Sequence, residues 1–177
     1  MNSSTLTTPK CLTSPKAFVR TTASIIQGNS IGYAAVTDED FEDLATIRIE
    51  AMRESLEKVG RFDPQRARDR LRNSFCRECT TAILLVGQRI GFYTLRPDED
   101  GLHLDHFYIL PEYQSKGIGS AVMERIKAVA NRKQCSIRLG ALRDSPSNNF
   151  YARHGFSRES EDEWDIYYIA VTNTPYR

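Results

Sequence analysis

The sequence predicts an α/β fold in a single domain, and three observations support this prediction. Segments with the 3.6-residue spacing of amphipathic helices alternate with short segments in which apolar residues recur at every second position. A β–α–β unit is predicted over residues 102–142, where a strand, an amphipathic helix and a second strand follow one another. The chain has 177 residues, 40% of them hydrophobic, which is enough for one core and short for two domains.

The first half of the predicted domain places two helices between strands. Thr37 has the position of an N-cap for the first helix, and Val36 and Phe41 flank it as a hydrophobic staple. Asp63 caps the second helix and Pro64 opens it, since proline is favoured at the first helical position. The predicted elements are a strand at 31–36, helices at 38–58 and 63–75, and strands at 80–86, 89–96 and 102–110.

The second half predicts two helices, a strand between them and a closing hairpin. Ser145 is the expected N-cap of the last helix, Pro146 its first residue, and Gly155 the residue that ends it. The predicted elements are a helix at 117–131, a strand at 136–142, a helix between 145 and 155, and strands at 156–159 and 164–171.

The first 30 residues differ in composition from the rest of the chain. They are rich in Ser and Thr, and the first acidic residue of the chain is Asp38. A segment with so little apolar surface is expected to be disordered, so we predict a tail at 1–30 and one domain at 31–177. An organellar transit peptide is the alternative, because the tail contains Lys10, Lys16 and Arg20 but no acidic residue.

The overall charge argues against a polyelectrolyte partner. The chain has 24 Lys and Arg against 23 Asp and Glu, a formal net charge of +1, which is too small to favour nucleic acid or an anionic membrane. The sequence contains no run of roughly 18 apolar residues and no apolar secretory signal. We therefore expect a soluble, cytoplasmic protein that binds neither nucleic acid nor a membrane.

The four cysteines are too few for a disulfide-stapled secreted scaffold. Cys76 and Cys79 have the spacing of half a zinc site or of a redox pair, but no second half-site follows in the sequence. We therefore expect two ordinary thiols in a reducing compartment and no metal.

Two glycines, Gly117 and Gly119, lie between a predicted strand and a predicted amphipathic helix. Glycines at this point let backbone N–H groups approach an anion at the N-terminus of the helix. The loop lacks the Rossmann fingerprint, because Val122 occupies the position of its third glycine. It also lacks the P-loop pattern, because Lys116 precedes the glycine instead of following it. The pattern predicts a phosphate-binding loop of another type.

This loop resembles motif A of the GCN5-related N-acetyltransferases (GNAT), Gln/Arg-x-x-Gly-x-Gly/Ala, which is present as QSKGIG at residues 114–119. The segment NNFYARHGF at residues 148–156 resembles motif B of the same family, Phe-Tyr-x-x-x-Gly-Phe. The predicted element order over residues 31–171 is also that of the family, β-α-α-β-β-β-α-β-α-β-β. The resemblance implies the GNAT fold, a mixed, splayed central β-sheet flanked by helices.

By this resemblance the cosubstrate is acetyl-CoA and no metal takes part. The N–H groups of the loop would bind the diphosphate, and the strand backbone before the loop would pair with pantetheine. Ser145 stands where many relatives have asparagine. The residues implied to bind the cosubstrate are Phe107, Tyr108, Ile109, Gln114, Ser115, Lys116, Gly117, Ile118, Gly119, Ser120, Ser145 and Asn148.

The resemblance also implies a reaction, the direct attack of a primary amine on acetyl-CoA through a tetrahedral intermediate. The departing thiolate needs a proton, and Tyr151 occupies the position of the motif B tyrosine that donates it in relatives. The alternative is a tyrosine that is merely buried beside Phe150 and Phe156.

The amine must also lose a proton, and the strand before the loop contains the candidates. His103 and Asp105 occupy the two positions at which some relatives carry basic catalytic residues. Residues i and i+2 of a strand share a face, so we predict that His103 accepts the proton and that Asp105 orients it or attracts the amine. His106 is expected on the opposite face in a structural role. Asp105 or water as the base, or a pair that only lines the cleft, are the alternatives.

Arg48 lies within the apolar stripe of the first helix. A charge in such a position needs a partner. In GNAT proteins this helix borders the acceptor cleft, so we predict that Arg48 binds a carboxylate or phosphate of the substrate. The alternatives are a structural ion pair and a guanidinium that reaches solvent along the stripe.

The acceptor is expected to be a small-molecule amine or a peptide amine, and the sequence does not separate these two. A homodimer is left open, because Trp164, Tyr167 and Tyr168 could face either a core or a partner subunit. The alternative function is a non-catalytic acyl-CoA-binding or sensor module on the same fold. Tyr151 and the polar pair His103 and Asp105 argue against that alternative.

Overall fold

A computed structural model describes residues 24–26 and 29–171 and shows a mixed β-sheet of eight strands between two layers of helices. The strand order in the sheet is β1-β2-β3-β4-β5-β6-β8-β7. The strands are β1 Ser24–Ile26, β2 Asn29–Ala35, β3 Thr80–Leu85, β4 Gln88–Asp98, β5 Gly101–Ile109, β6 Ser136–Leu142, β7 Ser157–Glu161 and β8 Asp165–Ala170. The helices are α1 Phe41–Lys58, α2 Pro64–Ser74, α3 Ile118–Lys133 and α4 Ser147–Arg153.

The sheet begins earlier than the sequence predicted. Ser24–Ile26 pairs with the first three residues of β2, which itself starts at Asn29, so β1 and the first two residues of β2 fall inside the predicted tail. Antiparallel pairing uses backbone groups, which any composition supplies, whereas the prediction of a tail rested on side-chain composition alone. Residues 1–23 lie outside the described residues.

Thr37 and Asp63 act as caps as predicted, although Thr37 caps a 3₁₀ turn, Asp38–Asp40, that precedes α1. The backbone N–H of Thr37 donates to Asp40 Oδ2 at 2.7 Å, within a 3₁₀ turn that leads into α1. Val36 and Phe41 are buried in one cluster, as the staple requires. The carboxylate of Asp63 accepts from the backbone N–H of Arg66 at 3.0 Å at the start of α2. These local contacts explain why the two helices begin where they do.

The two helix layers pack on opposite faces of the sheet. One face, here called the α3 face, carries α3 and α4, and its core includes Val122, Met123 and Leu139. The other face, here called the α1 face, carries α1 and α2, with Leu44 and Phe92 in its core. α1 packs on β4 and β5, so it lies over the central strands of the sheet.

The two neighbouring parallel strands diverge in the middle of the sheet. β5 pairs with β6 from Gly101 opposite Ser136 as far as Leu104 opposite Leu139. β5 then continues to Ile109 and β6 to Leu142 without further pairing between them. The result is a V-shaped opening between the carboxyl ends of two parallel strands, the place where open α/β sheets bind ligands.

Cys76 and Cys79 form a disulfide, so the prediction of two ordinary thiols is wrong. The 3₁₀ turn Arg77–Cys79 brings their Cα atoms to 5.3 Å, a separation that a disulfide can bridge. Cys135 is a free thiol. Sequence spacing allowed this pairing, but only the turn geometry decided it.

Within residues 29–171, which contain all the described helices, none is long and apolar enough to span a membrane.

Gly91 in β4 provides a test of how tightly the strands pack. A Cβ atom at this position would overlap the backbone carbonyl oxygen of Tyr108 and lie 3.2 Å from the Cα of Ile109. Gly91→Ala is therefore expected to lower the free energy of unfolding by about 2 kcal/mol, because a neighbouring backbone cannot move aside easily. Urea denaturation measures the change. Gly32→Ala is the control, since its Cβ would lie 3.4 Å from Leu84, an ordinary contact; equal losses in the two variants would contradict the prediction.

Candidate active site

The V-shaped opening exposes the backbone of the last residues of β5. Phe107, Tyr108 and Ile109 lie beyond the point where β6 diverges, so their backbone groups on that edge have no strand partner. The side chains of Phe107 and Tyr108 point to opposite faces: the Phe107 ring lies 6.0 Å from that of Phe150 on the α3 face, and the Tyr108 ring 5.5 Å from that of Phe92 on the α1 face. A strand edge of this kind binds an extended ligand through main-chain hydrogen bonds.

The glycine-rich loop follows directly at the end of β5. Gln114 Nε2 donates to the carbonyl of Ile109 at 2.7 Å and so fixes the loop to the strand. Ser115 and Gly117 both have positive φ, 57° and 80°, and α3 begins at the next residue. Alternation of this kind makes successive N–H groups converge, and a helix start leaves its first N–H groups without intrahelical partners. The loop is therefore shaped to hold an anion, and a glycine at 117 is required by its left-handed backbone.

The first turn of α3 is covered by α4, which the sequence alone did not reveal. A Cβ on Gly119 would lie 3.4 Å from the Phe150 ring. His154 Nε2 lies 3.1 Å from Ser120 Oγ, and His154 Nδ1 lies 3.5 Å from Glu124 Oε1. No spacing rule connects residues 34 positions apart, so His154 was missed as a site residue.

Tyr151 is buried on α4 among aromatic side chains. Its ring lies 5.7 Å from that of Phe156 and 6.0 Å from that of Tyr168. Burial, with a smaller contribution from the nearby Tyr108, raises the pKa of Tyr151. The phenol therefore keeps its proton at neutral pH.

Ser145 and Asn148, both expected near the cosubstrate, are bonded within the protein. The Asn148 amide donates to the carbonyls of Leu142 and Ser145 at 3.0 and 2.9 Å and accepts from the Tyr168 hydroxyl at 3.0 Å. Ser145 Oγ accepts from the backbone N–H of Ser147 at 3.3 Å, and α4 starts at Ser147, one residue later than predicted. These contacts fix the turn before α4, and contact of either side chain with CoA stays a prediction.

His103 and Asp105 lie together, as predicted, although not through simple alternation. The register of β4 and β5 pairs Leu95 with Leu104 and Thr94 with His106, so Asp105 is an extra, bulged residue. Asp105 forms an ion pair with Arg96 and lies 3.4 Å from His103 Nε2. The Asp105 carboxylate therefore interacts with both Arg96 and His103.

His103 is accessible from the α1 face. Its side chain is 36% exposed, and it lines a cleft of about 260 Å³ together with Arg138, Glu159 and Tyr167. Arg138 pairs with Glu159 at 3.2 Å across this cleft. This cleft is thus lined by paired charges around one exposed imidazole.

The bulge also corrects the expected orientation of His106. Its partner Thr94 and the partner of His103, Arg96, are two residues apart on β4, so both histidines face the α1 side. His106 is buried, and its Nε2 lies 2.8 Å from Ser74 Oγ. Burial, and secondarily the charge of Arg48, lowers the pKa of His106 to about 4. We keep the prediction of a structural role for His106, although its side chain lies on the α1 face and not on the face opposite His103.

This lowered pKa predicts how stability depends on pH. Below pH 6.5 the unfolded chain binds a proton at His106 that the folded chain does not bind until about pH 4, so the stabilisation is complete above pH 6.5 and is lost as the pH falls toward 4. The full difference is roughly 3 kcal/mol. Urea denaturation from pH 4 to 7 measures it. In His106→Gln this part of the slope should vanish while the carboxylates still titrate; the same slope in both proteins would contradict the assignment.

Arg48 is buried, with 5% of its surface exposed. Its Nη1 donates to the carbonyl of Ala67 in α2 at 2.7 Å, and its guanidinium lies 5.5 Å from the centre of the Tyr108 ring. Within the described residues it has no carboxylate at ion-pair distance, so the alternative of a structural ion pair does not apply there. Its role toward a substrate stays a prediction.

The three aromatic residues of the closing hairpin separate into two groups. Tyr168 is part of the core, whereas Trp164 and Tyr167 are exposed. Arg61, between α1 and α2, places its guanidinium 3.8 Å from the centre of the Trp164 ring. This cation–π contact joins the loop after α1 to the turn before β8.

A family model described as "Acetyltransferase (GNAT) domain" matches residues 77–158, which include β5, the loop, α3 and α4. The chain carries a GNAT acetyltransferase domain. The two motifs identified in the sequence both lie in the matched region, and the splayed parallel pair is the feature that the resemblance implied. The matched part of the chain is accordingly an acetyltransferase domain.

Solved structures of GNAT proteins share this fold. The PaiA N-acetyltransferase of Thermoplasma acidophilum, solved in complex with coenzyme A, is 21% identical with a TM-score of 0.67 over 80% of this chain and 99% of that one. The ribosomal-protein-S18-alanine N-acetyltransferase of Escherichia coli is 12% identical, with a TM-score of 0.63 over 82% and 96% of the two chains. Ard1 of Thermoplasma volcanium is 16% identical, with a TM-score of 0.61 over 81% and 99%. At these identities the likeness establishes the fold.

Proposed function

We propose that this GNAT domain transfers the acetyl group of acetyl-CoA to a primary amine by direct attack. One observation carries the proposal: the opening between β5 and β6 has an anion-binding loop at one end and a buried, protonated tyrosine, Tyr151, beside it. An anionic cosubstrate with a long, amide-containing arm and a reactive thioester matches this arrangement. The CoA complex of the Thermoplasma PaiA enzyme supports the same ligand.

The residues present fit such a cosubstrate. The N–H groups from Ser115 to Ser120 would hold the diphosphate, and the free edge of β5 at Phe107–Ile109 would pair with the pantetheine amides. The bound thioester supplies the acetyl group and the leaving thiolate. Tyr151, held in place by its aromatic neighbours, would donate a proton to that thiolate.

On the acceptor side, His103 is proposed as the base. It is the exposed imidazole of the cleft on the α1 face, and it would take a proton from the amine directly or through water. Asp105 is proposed to orient His103, because its carboxylate is already paired with Arg96. This pairing makes Asp105 less suitable as the base itself.

Arg48 is proposed to attract a carboxylate or phosphate of the acceptor. It is a buried cation without a carboxylate partner among the described residues, and it lies against Tyr108 at the end of the opening. An anionic group arriving there would be favoured, since a guanidinium binds such groups with two hydrogen bonds. The acceptor would then be an amine, free or peptide-borne, with an acidic group near it.

A screen of amines tests this function. Release of free thiol from acetyl-CoA is measured with amino acids, acidic peptides, polyamines and neutral amines as acceptors. Amine-dependent release is expected, and it should be faster with acceptors that carry an acidic group. Binding of acetyl-CoA without release in the presence of any amine would instead indicate the non-catalytic module.

The pH dependence of the reaction tests the base. If His103 accepts the proton, kcat/KM should rise with pH as the imidazole becomes free to accept it, and His103→Ala should lose this rise. The amine causes a second rise at higher pH, which acceptors of different pKa separate from the first. Loss of the first rise in Asp105→Asn but not in His103→Ala would assign the role to the carboxylate. Its retention in both variants would assign the role to solvent.

A further inference from the structure

His154 connects the end of α4 to the first turn of α3. Its Nε2 lies 3.1 Å from Ser120 Oγ, its Nδ1 lies 3.5 Å from Glu124 Oε1, and its ring lies 4.4 Å from the centre of the Phe150 ring. Only 13% of the His154 side chain is exposed, whereas Glu124 is 64% exposed. The imidazole is thus held between a carboxylate and the hydroxyl of a loop residue.

Two proton arrangements place a hydrogen on Nδ1, where it faces the Glu124 carboxylate. In a neutral His154, Nδ1–H donates to Glu124 and Nε2 accepts the proton of Ser120, so the serine oxygen can offer nothing but lone pairs to a ligand. In a protonated His154, Nε2–H donates to Ser120 Oγ, and the serine O–H is free to donate outward. An anion at the loop therefore favours the protonated form.

Charged and aromatic groups surround the imidazole. Glu124 faces Nδ1, and His154 directly follows Arg153, the last residue of α4. Lys127 lies 3.5 Å from the same oxygen of Glu124 and competes for it. The aromatic ring of Phe150 covers one side of the imidazole.

We propose that His154 is a positioning residue for the diphosphate of the cosubstrate: as an imidazolium it holds Ser120 so that the serine hydroxyl donates to a phosphate oxygen. The inference rests on the proposed function, because it takes the loop at Ser115–Ser120 as the diphosphate site. It adds a titratable positive charge beside the N–H groups of the loop. Affinity for the cosubstrate then falls as the pH rises.

The order serine, histidine, carboxylate also occurs in nucleophilic triads. Ser120, however, lies in the first turn of α3, where the loop converges its N–H groups on an anion. The proposed proton donor for the thiolate, Tyr151, lies instead on α4 among Phe156 and Tyr168. The hydroxyl of Ser120 is therefore placed for a phosphate group and not for the acyl group.

The test uses 3′-dephospho-CoA, which keeps the diphosphate and lacks the phosphomonoester that titrates near neutrality. Its Kd is measured by calorimetry between pH 5.5 and 8.0 with the full chain and with His154→Gln. We expect affinity to fall about tenfold across this range in the unmodified protein, the effect of one unit charge at about 6 Å in a partly screened site, and to stay flat in His154→Gln. Pantetheine, which has no phosphate, should show no such dependence with either protein.

Lys133→Gln is the matched control, because it removes one cation from the exposed far end of α3. It should retain the pH dependence, whereas Glu124→Gln should shift it to lower pH. Binding should also take up protons near neutral pH, seen as a buffer-dependent heat that His154→Gln lacks.

An unchanged pH dependence in His154→Gln, or a flat profile in the unmodified protein, would overturn the inference. Failure of the unmodified protein to bind CoA at any pH would instead overturn the proposed function. A merely structural role for His154 would lower the affinity equally at every pH and would leave the proton uptake unchanged.

Discussion

Tyr151→Phe is expected to lower kcat by ~10²-fold or more with little change in the KM for acetyl-CoA. The substitution keeps the ring and its contacts with Phe156 and Tyr168 and removes only the hydroxyl. Burial keeps that hydroxyl protonated at neutral pH, so its loss removes the proposed proton donor for the thiolate. Initial rates of thiol release at saturating amine measure the effect.

Tyr168→Phe is the matched control for this variant. Tyr168 is also a buried tyrosine, and its hydroxyl donates to Asn148 Oδ1 at 3.0 Å. This variant is expected to lose stability by about 1 kcal/mol and to retain most of its turnover. Full activity in Tyr151→Phe would mean that water or another group protonates the thiolate, and equal losses in both variants would point to packing as the cause.

Gly119→Leu is expected to abolish binding of acetyl-CoA while the domain stays folded. A Cβ at this position already lies 3.4 Å from the Phe150 ring and 3.8 Å from Ile109 Cδ1. A longer side chain has to enter the gap between the first turn of α3, α4 and the end of β5, which is the proposed path from the diphosphate to the pantetheine. Calorimetric titration with CoA measures the loss, and thermal unfolding measures the fold.

Gly119→Ala is the matched control. It distinguishes a side chain that blocks the cosubstrate site from the mere absence of glycine at this position. Its Cβ makes only ordinary contacts, and alanine is favoured over glycine inside a helix, so this variant should fold well and bind CoA within a fewfold of the unmodified protein. Unchanged affinity in Gly119→Leu would place the cosubstrate elsewhere.

Local signals in the sequence were sufficient for most of the secondary structure. Thr37 and Asp63 cap their helices through contacts within three residues, and β6 has the predicted bounds Ser136–Leu142. The glycine-rich loop and Tyr151 are contained in short motifs, so their positions after β5 and on α4 also followed from the sequence. The predicted bounds differ mainly at the ends of elements, where single hydrogen bonds decide.

Features that depend on strand register were not predictable in the same way. The bulge at Asp105 places His106 on the same face as His103, because one unpaired residue reverses the alternation that follows it. The strand β1 was missed because it is held by backbone hydrogen bonds to the start of β2. No pattern of side chains in the sequence predicts such bonds.

The sequence by itself indicated the family, the order of the elements from β2 onward and the two motifs proposed to bind the diphosphate and to protonate the thiolate, because each of these depends on contiguous residues and regular spacing. The tertiary structure alone decided which side chains meet across elements. It joined Asp105 to Arg96, turned Arg48 toward Ala67, and brought His154 to Ser120. Such contacts depend on the register and packing of elements distant in sequence, and these are set by the whole core at once and not by any local segment.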